Sequence, residues 1–328
     1  MPDFFSEATA GFFRPIESFL SNPEITEVMV NGPSEVYVEQ KGKILKTDAR
    51  FDDEEQLMAA VRRVAQAVGR VVDEQNPTLD ARLPDGSRVH VVLPPAARRG
   101  IYLSIRKFAK TMLNLKQLVD AHVLSVPMAK FLNLSVALAK NIIVSGGTSS
   151  GKTTLLNVIS TLIPPDQRII VIEDAGELQL QQEHILPMET RPGDVDGKGK
   201  LTMRDLLKSS LRMRPDRIVI GEVRGGEAFD LLQAMNTGHS GCMSTVHANT
   251  PGDALMRLET LGLMADVELP WRAMRSQVAS AIDIVVQTSR LRDGSRKITY
   301  ISEVIGLTDA GEYQVHDLFL HQIESIDD

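Results

Sequence analysis

The 328-residue sequence predicts an α/β protein with an N-terminal mixed α/β domain over residues 1–112 and a C-terminal domain of alternating strands and helices over residues 113–328. Three observations predict this class. Short runs of alternating hydrophobicity, separated by turn residues, fill the first part of the sequence. Strand-like and helix-like runs then alternate, a pattern that builds a mostly parallel sheet. Among them lies the glycine-rich stretch "GGTSSGKTT" at residues 146–154.

The N-terminal domain is predicted to contain strands on both sides of the turns at residues 31–33 and 41–42. A helix over residues 57–71 is indicated by one apolar face, made of Leu57, Val61, Val64, Val68 and Val71. Two further strands follow in "RVHVVLPP" and "IYLSIRKF", and Pro84-Asp85-Gly86 forms the turn before the first of them. The predicted linker lies near residues 107–115, because regular strand–helix alternation starts after it.

The C-terminal domain is predicted to begin with a helix opened by Ser125 and Pro127. The strand "NIIVSG" and the helix after the glycine-rich stretch come next. Thr202 is the candidate cap of a later helix. The remaining predicted elements are, in order, the strand "RIIVIED", the helix "TMRDLLKSSLRM", the strand "RIVIGEV", the helix "GEAFDLLQAMNTG", the strand "CMSTVHA" and the helix "PGDALMRLETL". A hairpin around Asp293-Gly294 and a strand in "YQVHDLF" complete the domain.

The glycine-rich stretch fits the phosphate-binding loop Gly-x-x-x-x-Gly-Lys-Thr. Glycines let the backbone curl so that successive N–H groups, together with a helix N-terminus, face a phosphate. Lys152 is then expected on the β- and γ-phosphates, and the Thr153 hydroxyl on Mg²⁺. The candidate nucleotide-binding residues are Gly146, Gly147, Thr148, Ser149, Ser150, Gly151, Lys152, Thr153 and Thr154.

Acidic residues end two of the predicted strands. Glu173 and Asp174 finish "IVIED", and Glu222 finishes "RIVIGE". Carboxylates at such strand ends, beside a phosphate loop, are placed to hold Mg²⁺ through water or to orient an attacking water. The alternative for each residue taken alone is a solvated acid at a strand end.

Two histidines lie in the stretch "TGHSGCMSTVHANTP". His239 is in a glycine-flanked turn, and His247 ends a buried-looking strand of the same sheet. An imidazole there can form a hydrogen bond with a γ-phosphate and respond to its loss. The alternative is that the histidines only tie the loop. No further His or Cys stands at the spacing of a zinc site.

Composition restricts the protein class. The formal net charge of -7 gives no reason to expect a nucleic-acid partner. No apolar run approaches the roughly 20 residues of a membrane span, and the start lacks the pattern of a signal peptide. A single cysteine, Cys242, excludes an intrachain disulfide. These features favour a cytoplasmic protein whose membrane contact is peripheral only.

Four blocks together resemble the secretion ATPase superfamily: "GGTSSGKTT", "VIEDAGEL", "RMRPDRIVIGEVRGGEAFDLLQAMNTGH" and "STVHAN". They are similar to its Walker A, Asp box, Walker B and His box. Members are RecA-like hexameric motors of type II and type IV secretion and of type IV pili. More narrowly, "EVMVNGP", "VDEQNPTLDARLPDGSRVHVVLPP", "LSIRKF" and "ASAIDIVVQTSRLRDGSRK" resemble CpaF/TadA-type ATPases, which assemble tight-adherence (Tad, Flp) pili.

The resemblance implies ATP and Mg²⁺ as ligands and hydrolysis by attack of water on the γ-phosphate. It implies that Glu222 is the catalytic base and that Glu173 orients water or metal, so that Thr153, Glu173 and Glu222 serve Mg²⁺, partly through water. It further implies that His247 and His239 sense the γ-phosphate. Arginines of the N-terminal domain are expected to reach the nucleotide, at the matching positions Arg82, Arg88 and Arg106.

The function implied is a homo-hexameric motor that works under an inner-membrane platform protein of a pilus or secretion system. The nearest alternative is a conjugative or type IV secretion traffic ATPase that moves protein or DNA. A nucleic-acid translocase is a further alternative, which the acidic balance disfavours. A nucleotide-binding scaffold with negligible turnover is disfavoured by the presence of both Glu173 and Glu222.

Overall fold

The computed structural model of the protein describes residues 13–83, 85–108, 113–191, 193 and 198–322. It divides into two compact units, residues 1–111 and 112–328. The predicted linker at residues 107–115 is described only in part, because residues 109–112 lie outside the described residues. Pro84 of the predicted turn also lies outside them. No helix among the described ranges is both long and apolar enough to cross a membrane.

The first unit begins with a 3-10 turn at Arg14–Ile16, and its elements are α1 (Glu17–Ser21), β1 (Ile25–Asn31), β2 (Val36–Gln40), β3 (Lys43–Lys46), α2 (Glu54–Ala67), β4 (Thr78–Arg82), β5 (Arg88–Val92) and β6 (Tyr102–Arg106). The six strands form an antiparallel sheet in the order β3-β2-β1-β6-β5-β4. The core lies where buried residues of helix α2 pack with buried residues of the strands, among them Val61, Val28 and Val89.

Helix α2 ends earlier than the sequence predicts. Gly69 has a φ of 68°, in the left-handed region that favours glycine. Its N–H donates to Gln66 O at 3.1 Å, and the Arg70 N–H donates to Ala65 O at 2.8 Å, the two hydrogen bonds of a Schellman motif. The predicted extension to Val71 is therefore wrong, and that side chain is 70% exposed.

The elements of the second unit are α3 (Leu115–Asp120), α4 (Val126–Ala137), β7 (Ile142–Gly146), α5 (Lys152–Ser160), β8 (Ile169–Glu173), β9 (Ile185–Glu189), α6 (Met203–Ser210), β10 (Arg217–Ile220), α7 (Glu227–Asn236), β11 (Met243–Val246), α8 (Pro251–Leu263), α9 (Trp271–Ala281), β12 (Ile284–Arg290), β13 (Arg296–Leu307) and β14 (Tyr313–Leu320). The strands form an eight-stranded sheet in the order β14-β13-β12-β7-β11-β10-β8-β9. From β12 to β9 in that order, neighbouring strands pair in parallel, whereas β13 pairs antiparallel with both β12 and β14.

This order confirms the predicted α/β class, the strand–helix alternation and the C-terminal hairpin. Ser125 and Thr202 cap α4 and α6, as predicted, by accepting a hydrogen bond from the backbone N–H three residues later. The elements α3, β9 and α9 were not predicted.

The central strands of the second sheet are buried on both faces. Ile143, Ile170 and Ile218 pack with residues of α6, α7, α8 and α9 on one face. Ile142 and Val144 pack with residues of α4 and α5 on the other. Burial on both faces explains why the central strands are continuously apolar rather than alternating. The parallel pairing also brings the C-terminal ends of β7, β8, β10 and β11 to one edge, where ligands bind in sheets of this kind.

Candidate active site

The glycine-rich loop lies at that edge, between the end of β7 and the start of α5. Gly146 closes β7, and a Cβ atom there would overlap both Ser150 Oγ and Thr288 Oγ1. Such a contact excludes any side chain at this position. Gly151 precedes α5 with a φ of 98°. The predicted nucleotide-binding residues 146–154 are thus one strand end, one loop and the first helical turn.

Side chains of the loop and the C-terminal hairpin hold the loop in shape. Ser150 Oγ donates to Gly147 O at 2.9 Å and lies 2.8 Å from Thr288 Oγ1 on β12. Arg296, the first residue of β13, donates from Nε to Ser149 O at 3.0 Å. Carbonyl groups of the loop are thereby engaged by side chains, which supports a fixed loop shape before any ligand binds.

Lys152 begins α5 and is only 7% exposed. Its Nζ donates to Gly147 O at 2.9 Å and lies 3.5 Å from His247 Nδ1. The ammonium group is therefore held over the loop, next to the N-terminus of a helix, which attracts anions. Thr153 and Thr154 follow in the first turn. This arrangement suits binding of a nucleotide phosphate.

Glu222 and His247 lie together at the ends of β10 and β11. His247 Nε2 is 2.8 Å from Glu222 Oε1, yet this buried oxygen has no hydrogen-bond partner among the described residues. The contact is therefore close without being aligned as a hydrogen bond. Burial, followed by the charge of Lys152, lowers the pKa of His247. A neutral ring that accepts from Lys152 at Nδ1 carries its proton on Nε2, facing Glu222.

Arg224 completes this group, and its role was not predicted from the sequence. Its Nε donates to Glu222 Oε2 at 2.9 Å, and its Nη2 donates to the same oxygen. Its Nη1 lies 3.5 Å from Asp174 Oδ2 at the end of β8. Its place two residues after Glu222 was visible in the sequence, but its bridge to Asp174 depends on the pairing of β8 with β10.

Glu173 is buried at the end of β8, 5% exposed. Its Oε1 accepts hydrogen bonds from the backbone N–H groups of Glu177 at 2.9 Å and Leu178 at 3.0 Å. Burial raises the pKa of Glu173 to about 7, against the two hydrogen bonds, which favour the charged form. This carboxylate therefore anchors the segment after β8 through one oxygen.

The structure does not bring His239 to the loop. β11 runs parallel to β7, with Val246 beside Ser145 and Met243 beside Ile142. His239 precedes β11 and His247 follows it, so within one chain the two histidines lie at opposite ends of the parallel strands. At its own edge, the backbone O of His239 accepts a hydrogen bond from Cys242 Sγ at 3.0 Å. The prediction that both histidines contact one γ-phosphate has no support within a single chain.

The three predicted arginines form a row in the first unit. Arg82 lies opposite Arg88 on β4 and β5, and Arg88 lies opposite Arg106 on β6. Directly opposed residues of antiparallel strands present their side chains on the same face. Arg82 also lies over the Phe108 ring, with its Cζ atom 5.7 Å from the ring centroid. The row therefore places three guanidinium groups on one face of the first sheet, with Glu27 of β1 next in line opposite Arg106.

The side chains of the site fit a Mg²⁺ ion that enters with a nucleotide. Among the described residues, no group of three or more His, Cys, Asp or Glu side chains is arranged to hold a metal by itself. Mg²⁺ commonly uses substrate phosphates, waters and one or two protein oxygens. The Thr153 hydroxyl at the helix start is a suitable direct oxygen, and the carboxylates of Glu222 and Glu173 can act through water.

Comparison with known proteins shows which family the chain belongs to. The family model described as "Type II/IV secretion system protein" matches residues 10–306. The chain is 38% identical over 308 residues to a type IV secretion system protein PtlH homolog of Bordetella bronchiseptica, covering 84% of this chain and 89% of that protein. The crystal structure of the VirB11 ATPase from the Brucella suis type IV secretion system is 30% identical, covers 91% of this chain and 95% of its own, and has a TM-score of 0.50.

A structure of the pilus retraction motor PilT with bound ADP has a TM-score of 0.61 at 21% identity, over 88% of this chain and 81% of that chain, and supports the fold alone. Fold, site and comparisons together define a P-loop ATPase with an N-terminal domain and a RecA-like ATPase domain. The chain belongs to the type II/IV secretion system ATPase family and is close to VirB11 and PtlH.

Replacing Lys152 by Ala is expected to weaken ATP binding about 10- to 100-fold, because a hydrogen bond to a charged group contributes roughly 1.5–3 kcal/mol. Titration with a fluorescent ATP analogue measures the Kd. The exposed Lys130 on α4, changed to Ala, is the control and should keep wild-type affinity. Unchanged affinity in Lys152→Ala would remove this residue from the phosphate site.

Replacing Glu173 by Gln is expected to flatten the pH dependence of stability. The pKa of Glu173 rises from 4.5 to about 7 on folding, so the folded chain binds the proton more tightly than the unfolded chain. The free energy of unfolding should therefore fall as the pH rises from 4.5 to 7. Urea unfolding of the nucleotide-free protein at several pH values measures the slope, with exposed Glu183→Gln as control. An equal slope in wild type and Glu173→Gln contradicts the assignment.

Proposed function

We propose that the chain is a motor ATPase that powers assembly of a type IV pilus of the Tad type, with residues 1–112 as the N-terminal domain and 113–328 as the RecA-like ATPase domain. The observation that carries the catalytic part is the contact series Lys152–His247–Glu222 beside the phosphate loop. It joins a phosphate-binding cation, a neutral imidazole and a carboxylate. The Tad assignment is supported by the CpaF/TadA-like blocks in both halves of the sequence.

In the proposed reaction, the β- and γ-phosphates of ATP lie in the loop formed by residues 146–151. Lys152 and the N–H groups of the loop stabilise negative charge on the transferring group. Glu222 acts as the base: its Oε1 accepts a hydrogen bond from the attacking water and orients it toward the γ-phosphorus. His247 lies between Lys152 and Glu222, and is thus placed to respond to the presence of the γ-phosphate.

Mg²⁺ would be held by the nucleotide phosphates and the Thr153 hydroxyl, with Glu222 and Glu173 acting through water. When bound, it neutralises the charge that develops on the phosphate oxygens. Glu173 contributes mainly as an anchor, because its Oε1 is engaged by two backbone N–H groups. It thereby fixes the segment that carries Asp174.

Arg82, Arg88 and Arg106 are proposed to supply cations to the nucleotide from the N-terminal domain, of the same subunit or of a neighbour. Three guanidinium groups in one row of a sheet are suited to an anion with several negative oxygens. Hydrolysis would then depend on the position of this domain. Such dependence lets the chemical step drive a movement.

The expected assembly is a homo-hexamer at the cytoplasmic side of the inner membrane, bound to a platform protein of the pilus. The alternative is a type IV secretion traffic ATPase, which the identity to the PtlH homolog and to VirB11 favours. The genes next to this one distinguish the two: pilin, platform and secretin genes support the pilus motor, and conjugation or effector genes support the traffic ATPase. The net charge of -7 disfavours a nucleic-acid translocase.

Replacing Glu222 by Gln is expected to preserve ATP binding and slow turnover by the roughly 10²–10⁴-fold that general-base catalysis contributes. The amide keeps the size of the carboxylate but is too weak a base to accept the proton. Steady-state phosphate release gives kcat, and calorimetry gives the Kd. Turnover near that of the wild type would exclude Glu222 as the base.

Replacing Arg82, Arg88 or Arg106 by Ala is expected to lower kcat strongly and to change ATP affinity little. An arginine supplied to the transition state can contribute about 10³–10⁵ in rate in related phosphoryl-transfer enzymes. Exposed Arg62→Ala on α2 is the matched control and should retain activity. If the fragment from residue 113 onward hydrolyses ATP as fast as the full chain, the N-terminal arginines take no part in catalysis.

A further inference from the structure

Arg224 is the side chain that links the ends of β8 and β10. It contacts Glu222 Oε2 through two nitrogens, Nε and Nη2, while Nη1 faces Asp174. An arginine is suited to this bridge because its planar guanidinium presents several N–H groups in fixed directions. One Glu222 oxygen is thereby occupied, and the other, Oε1, is left without a hydrogen-bond partner among the described residues.

The backbone at Arg224 is itself fixed. Its N–H donates to Glu227 Oε1 at 2.7 Å, and the next N–H, of Gly225, donates to the same oxygen at 2.8 Å. Glu227 is the first residue of α7, so the turn after β10 is anchored to a helix start. A side chain on an anchored turn can hold its partner in one orientation.

We propose that Arg224 is a positioning residue for hydrolysis: it holds Glu222 by Oε2, so that Oε1 faces the attacking water. This proposal rests on the proposed role of Glu222 as the base. In the described contacts Arg224 touches neither the phosphate loop nor Glu222 Oε1, which lies 2.8 Å from His247 Nε2 without a hydrogen bond. Its effect is therefore on the alignment of Glu222. The contact of Arg224 with Asp174 also fixes the position of Glu222 relative to the end of β8.

A purely structural role for this ion pair is disfavoured by exposure. The Arg224 side chain is 58% exposed, and ion pairs open to solvent add little to stability because water and salt screen them. Alignment is a different matter, since a displacement of about 1 Å of a catalytic group can cost about 10²-fold in rate. The bridge should consequently affect turnover far more than folding.

The test is steady-state kinetics and nucleotide binding on full-length variants. Arg224→Ala should lower kcat about 10- to 100-fold, with the Kd for ATP and the melting temperature close to wild type. Arg224→Lys, which keeps the charge but offers one ammonium group in place of the fork, should recover part of the loss. Asp174→Asn should lower kcat less than Arg224→Ala. Exposed Arg292→Ala, in the turn between β12 and β13, is the control for removal of a cation.

A double variant separates this proposal from the one it rests on. If Arg224 acts through Glu222, adding Arg224→Ala to Glu222→Gln should cause no further loss of kcat. Additive losses would overturn the proposal, as would a wild-type or increased kcat in Arg224→Ala, or a loss confined to ATP affinity. Wild-type turnover in Glu222→Gln would instead reject Glu222 as the base. If Arg224→Ala does not fold, Arg224→Lys provides the test. A wild-type kcat in Arg224→Lys would contradict the proposal that two nitrogens of Arg224 are needed to hold Glu222.

Discussion

The parallel pairing of β7 with its neighbours is the constraint on which the site depends. Val246 of β11 and Gln287 of β12 both lie beside Ser145. Because the strands run in one direction, each leaves the sheet at the same edge, and each contributes a different kind of group there. The loop after β7 offers N–H groups and Lys152, while β11 offers an imidazole. A shift of one residue in the pairing of β7 with β11 would displace Lys152 and His247 relative to each other by about 3.3 Å.

That edge also concentrates buried polar groups, which are costly unless they are satisfied. Lys152 is satisfied by a loop carbonyl, and Glu173 by two backbone N–H groups. Glu222 Oε1, by contrast, is buried without a hydrogen-bond partner among the described residues, as are Ser145 Oγ and Gln287 Oε1. Glu222 Oε1 lies beside the phosphate loop and can accept a further hydrogen bond. A water held by both the nucleotide and Glu222 would donate that hydrogen bond.

Local chemistry explains which parts of the fold the sequence could predict. The loop motif, the caps at Ser125 and Thr202 and the hairpin turn each depend on residues close in sequence, and each was predicted. β9 was not, because Pro187 in "ILPME" argues against a strand, yet β9 is the edge strand of its sheet, where proline is tolerated. Helix α9 follows Pro270 without a side-chain cap, so the sequence lacks a clear start signal.

The same reasoning explains what could be predicted about the site. Lys152 is identified by its motif, and Glu173 and Glu222 by the strands that precede them, since a strand end can be read from sequence. His239 and His247 look alike in sequence, but one precedes β11 and the other follows it. The two histidines are therefore separated by the length of β11, and a sequence motif alone does not show this distance. Arg224 shows the converse case: its bridge joins two loops about 50 residues apart, and only the pairing of β8 with β10 makes them neighbours.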